Sequence, residues 1–150
     1  MPTPKQLVLN ALERTTDGIL RDVAQVPADR WRDSPAGRAK SLCDVLGHLI
    51  ECEDWWLISL GVPAAERPPV PGLGEVGSAE QAAALFSAAR RHLLDLLSGL
   101  ADSFFENAVP TCEYGGLQTG ADLLLYTAGH DFYHDGQIQM LELAFSAEEG

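Results

Sequence analysis

Along this chain apolar residues recur at every third or fourth position, and nowhere do they alternate with polar ones over a short bounded run as a half-buried strand requires. The pattern predicts an all-α protein. Leu7, Leu9, Leu12, Ile19, Leu20, Val23 and Val26 make the first stripe, from about Pro4 to Gln25, with Pro4 suited to a first helical turn and Pro27 closing the segment. Ser41, with Asp44 three positions on, caps a second helix, "LCDVLGHLIECEDWWLISL", that stops at Gly61. Ser78 and Gln81 are spaced as a capping box for a third, "SAEQAAALFSAARRHLLDLLSGL". Thr119 caps a fourth, "GADLLLYTAGHDFYHDGQIQMLELAF", after which "SAEEG" is expected to fray.

Two irregular stretches separate these helices. "GVPAAERPPVPGLGEVG" holds four prolines and four glycines, a length and composition suited to a crossover or a lid, and "ADSFFENAVPTCEYGGLQ" precedes the fourth helix. Four amphipathic segments of roughly 20 residues bury their apolar faces most simply as a four-helix bundle with one non-neighbour crossover. Residues 1–150 are expected to form one such domain, without internal repeats.

Composition narrows the partners. The length, 150 residues, is enough for one core without disulfides. Ten Lys and Arg against 22 Asp and Glu leave a net charge of −12, a field that repels phosphate backbones and anionic lipids, so neither nucleic acid nor membrane is an expected partner. No run approaches the ~20 apolar residues of a membrane span, and the opening "MPTPKQLVLNALERTTDG" breaks off with charges where a signal peptide stays apolar. The expected location is the cytoplasm. Three cysteines cannot all pair, and Cys43 and Cys52 fall half a turn out of phase on one helix, consistent with a reducing compartment.

The candidate chemistry lies in "GHDFYHDGQIQ". His130 and His134 are one turn apart on the face that carries Leu123, Thr127, Ile138 and Leu141, so both rings point into the bundle. Two core imidazoles could each find a backbone or carboxylate acceptor. A third, His48, shares the inward side of helix two with Val45, Cys52 and Trp55. Three neutral imidazoles meeting inside a bundle are satisfied together by a divalent cation, which three neighbouring core histidines without one are not. Imidazole serves zinc and nickel first, with iron and manganese also eligible. Cys52, one turn after His48, reads first as a small buried hydrophobe, with a fourth ligand as the alternative.

"GHLIECEDWW" and "HDFYHDGQI", together with the lead "RWRDSPAGRAKSLCDVLGHL" and the entry "LQTGADLLLYTAGH" into helix four, resemble the DinB-like (YfiT-like) superfamily of four-helix-bundle metalloproteins over nearly the whole chain. The resemblance implies that the metal is held by one histidine of helix two and two of helix four, here His48, His130 and His134. It makes Gln137 and Tyr133 the polar and aromatic positions of the "YHxGQ" run, with Gln137 supporting a ligand rather than being one. It departs at Asp135, where relatives often carry a basic residue. That position is expected to face away from the metal and to affect surface charge. The resemblance further implies a homodimer with a small-molecule substrate, and an activity drawn from thiol-dependent transferases using low-molecular-weight thiols, metal-dependent hydrolases, or stress-associated metal binding without turnover.

The remaining features carry plainer expectations. His92 beside Arg90 and Arg91 reads as a surface or packing residue, and Trp31, Trp55 and Trp56 as core or interface. Glu51, Glu53 and Asp54 read mostly as a solvated face, although Glu51 or Asp131 could orient a ligand imidazole. Ser34, Ser41 and Ser78 read as turn and cap residues. No nucleophile–histidine–acid arrangement or phosphate loop emerges, so no catalytic residue is assigned.

Overall fold

In a computed structural model the described residues are 1–35, 40–72, 74–107 and 119–149, with Glu149 as backbone only. They form α1 (Pro4–Val23), α2 (Leu42–Ser59), α3 (Ala79–Gly99), a short α4 (Asp102–Glu106) and α5 (Gly120–Glu149), with no strand among them. The second irregular stretch thus contains a helical turn, and its remainder, 108–118 with Cys112, lies outside the described residues. The tail expected to fray instead continues α5 through Glu149, with Arg30 bonded to Glu148 at 2.8 Å.

The helix boundaries follow from local hydrogen bonding. Thr3 and Gln6 close a reciprocal box on α1, and Ser41 with Asp44 does the same on α2. Ser78 accepts from the Gln81 amide, but the Gln81 side chain turns one residue further and accepts from Gly77 N–H, so this box stays half formed. At the end of α2, Gly61 takes φ +80°, while its N–H bonds Ile58 and that of Val62 bonds Leu57. A glycine meets that left-handed backbone without strain, which explains why the helix stops there.

Two apolar clusters fill the bundle, one at each end. The first includes Ile19, Leu46, Leu49, Phe86, Ile138 and Phe145; the second includes Val8, Leu12, Trp56, Leu93, Phe105 and Leu124. The order in which each helix visits them gives its direction. α1 and α5 run from the second cluster to the first, and α2 and α3 run the opposite way. The Pro/Gly-rich connection therefore does cross over, returning the length of the bundle with Val62 packed at one end and Val76 buried at the other. It joins neighbours rather than non-neighbours, because α2 packs on α3. The diagonal steps are instead α1 to α2 and α3 to α5. Nor is it a free lid: Arg67 is ion-paired with Asp54, and Arg32 donates to the Val76 carbonyl at 2.6 Å.

The packing divides into two intimate pairs, α1 with α5 and α2 with α3. These pairs join along an α1–α3 seam and a narrower α2–α5 seam. On every long helix a polar position separates the two apolar clusters: Thr15 and Thr16, Glu53, Arg90, and Asp131 with His134. This buried polar layer positions the candidate site.

Candidate metal centre

α2 and α5 bring the three histidines together across their seam. His48 Nε2 lies 3.1 Å from His130 Nε2, which lies 3.0 Å from His134 Nε2. Their rings stand edge to face, with centroids 4.3–5.1 Å apart. His134 is buried, and His48 and His130 are half-buried. Burial, reinforced by the neighbouring His130 and Lys40, pushes the His48 pKa below its ordinary value. Burial does the same to His134, against a raising hydrogen bond from Gln137. Both imidazoles therefore favour the neutral form, which has a lone pair to give.

The donor atoms of His48, Cys52 and His130 lie close enough together to share one ion, and His134 Nε2 adjoins His130. His130 Nε2 carries either one proton or one lone pair, so it cannot satisfy both neighbouring nitrogens by hydrogen bonding. Two nitrogens bound to one ion at about 2.0–2.1 Å stand about 2.8–3.4 Å apart for angles between octahedral and tetrahedral, and both observed separations fall inside that range. Gln137 Oε1 accepts from His134 Nδ1 at 2.7 Å, which leaves the lone pair on Nε2, and Gln137 Nε2 in turn donates to Tyr133 Oη at 3.2 Å. The oxygen and nitrogen of this amide are placed by that network.

Cys52 is not a core residue. It is half-buried, with Sγ 3.7 Å from His48 Nε2, and the donor atoms of His48, Cys52 and His130 lie within 4.8 Å of one another. Its thiol pKa is pushed up to about 11, by burial first and then by the charges of Glu53, Asp131 and Glu51. Beside it opens a cleft of about 400 Å³ lined by His48, His130, Glu51, Trp55, Trp56, Tyr126 and Thr127. The tryptophans divide their roles: Trp31 and Trp56 are buried, the latter donating from Nε1 to Thr127 at 3.0 Å, while Trp55 is 41% exposed at the cleft.

Behind the histidines, Arg90 is fully buried and joins all four long helices. It donates to Glu53 through Nε at 2.8 Å and Nη2 at 2.5 Å, to Asp131 from both Nη atoms at 2.9 Å, and to Thr16 at 3.1 Å. Thr15 donates to Asp131 as well, at 2.9 Å. Burial raises the Glu53 pKa and opposes the Arg90 charge, but the two carboxylates win and the guanidinium is held protonated. Glu53 is therefore not part of a solvated face, and Asp131 serves Arg90 rather than a ligand imidazole. One cation against two carboxylates leaves the layer with an excess negative charge, which favours a further cation nearby. The signal for this layer in the sequence is register: Arg90 stands four after Phe86 and three before Leu93, and Glu53 four before Leu57, where an apolar residue belongs.

Asp135 also corrects expectation. It is 7% exposed and faces α1, where Gly18 leaves it room: a Cβ there would meet its Oδ2 at 3.1 Å. Burial and the neighbouring Asp22 push its pKa up to about 6, while the hydrogen bond from Arg21 lowers that of Asp22. His92 is half-buried on α3 in a separate shallow hollow with Arg91 and Asp95.

A family model described as the DinB superfamily matches residues 11–138. The chain belongs to the DinB superfamily. No curated protein and no solved structure matches it significantly. DinB proteins are generally metal-binding, and this member carries a histidine and cysteine group able to hold a divalent ion. No helix among the described residues is long and apolar enough to cross a membrane.

Proposed function

We propose that this DinB protein is a metal-dependent enzyme that activates a low-molecular-weight thiol at a divalent ion held by His48, His130 and His134 and transfers it to a small electrophile. The observation that carries the reading is the opening of the histidine cluster onto an aromatic-walled cleft large enough for a small molecule. A divalent ion bound there lowers the pKa of a coordinated thiol, so that thiolate prevails near neutral pH. The protein's own groups do the rest. Gln137 fixes the His134 tautomer, Trp56 and Thr127 hold the cleft wall, and Trp55 and Tyr126 offer aromatic surface at its mouth. Transfer joins the thiol sulfur to the electrophilic carbon while the leaving group departs with its electron pair. In an assay of low-molecular-weight thiols with a chromogenic electrophile, turnover is expected to require both thiol and metal and to be lost in His130→Ala; unchanged activity in that variant would sink the reading.

Glu51 favours a second reading. It is an exposed carboxylate on the cleft wall, and in metal-assisted hydrolysis it would take a proton from water. Thiol-independent turnover that falls in Glu51→Gln would select hydrolysis; thiol-dependent turnover indifferent to that change would select transfer.

A further inference from the structure

We propose that Cys52 is a fourth donor to the metal, its thiolate sulfur binding beside the histidine nitrogens, so that the site is a mixed nitrogen and sulfur centre. The inference rests on the metal reading above and adds to it a ligand outside the three-histidine set. Cys52 and His48 are four residues apart on α2, which puts both side chains on the face turned toward α5. Their separation, Sγ to Nε2 at 3.7 Å, is close to the ~3.6 Å expected of a sulfur at about 2.3 Å and a nitrogen at about 2.05 Å on one tetrahedral ion. His130, on the other side of the seam, completes a trio whose donor atoms all lie within 4.8 Å. Cys43 makes the contrast: it is on the same helix but buried in the end cluster.

A sulfur donor changes which ions the site keeps. Thiolate and imidazole together select zinc, cobalt or nickel over magnesium and manganese, whose preferred ligands are oxygens. It also fills the position that three histidines alone would leave open, so a thiol substrate reaches the ion by displacing Cys52 or by adding as a fifth ligand from the cleft.

Cobalt(II) titrated into the metal-free full-length protein reads the donor set directly. The expected result is visible ligand-field bands together with an intense near-ultraviolet sulfur-to-cobalt band. Cys52→Ser, with its fold checked by circular dichroism, is expected to lose the near-ultraviolet band and keep the visible ones. Zinc is expected to protect Cys52 from iodoacetamide, mapped by mass spectrometry. Ligand-field bands in the wild-type protein with no sulfur band would overturn the Cys52 assignment and leave the histidine centre intact. No cobalt binding at all would overturn both.

Discussion

At the scale of single residues, Gln137 holds the His134 tautomer through a 2.7 Å bond, and the metal affinity should register its loss. Gln137→Ala is expected to weaken binding about 10–100-fold in competition with a chromogenic chelator, while Gln137→Glu, which keeps the acceptor, retains it. Asp135 makes a different prediction. Its pKa, raised to about 6 in the folded chain, means that the ionised form destabilises the fold above that pH and that the penalty fades as pH falls toward the ordinary carboxylate value. Asp135→Asn removes the charge, and its amide can donate to Asp22. The variant is expected to melt about 2–4 °C higher at pH 7.5, the equivalent of roughly 1 kcal/mol, with the gain shrinking as the pH drops below 6 and gone only below the ordinary carboxylate pKa. The three histidines are legible in the sequence because a spacing of four on one helix leaves few other destinations for two rings. The burial of Asp135 is not, because which flank of α5 meets α1 depends on topology.

At the scale of helices, one guanidinium links four of them. Arg90→Met strands Glu53 and Asp131 in a dry layer, and the expected cost is about 3–5 kcal/mol, visible as a lower urea midpoint. Adding Glu53→Gln and Asp131→Asn should recover much of that, since the penalty comes from uncompensated charge rather than lost contact. By contrast, Glu148→Gln, which breaks a half-exposed pair with Arg30, should change stability by less than about 1 kcal/mol. Helix identity and caps are readable from period and from Ser41, Ser78 and Thr119. The polar layer is not, because charged residues count against burial in any reading by residue type, and only their coincidence with the apolar register gives them away. The reach of α5 is hidden for a related reason: "SAEEG" has no apolar period of its own, yet α5 keeps its helical path to Glu149.

At the scale of the molecule, α5 shows an outward stripe opposite its histidines. Leu125, Phe132, Met140 and Leu143 are 42–66% exposed, with Gly129 and Gly136 between them and no charged side chain on that face from Leu125 to Leu143. Two copies of the chain would meet there without opposing carboxylates, and the glycines would let their helices approach closely. Light scattering is expected to give twice the chain mass, and Phe132→Glu to return the monomer.

The division into two tightly packed pairs gives the histidine seam a mechanical meaning. The pairs meet like the leaves of a book, along α1–α3, where Arg90 donates to Thr16, and along the narrower α2–α5 seam, where Trp56 donates to Thr127 beside the three histidines. An ion that binds only the closed book adds about 2.7 kcal/mol against opening at a hundredfold excess over its dissociation constant. Chelation should therefore speed amide exchange on the facing turns of α2 and α5 while leaving the α1–α5 interface protected. If the seam holds an ion, the supply of metal would then set how often the leaves part.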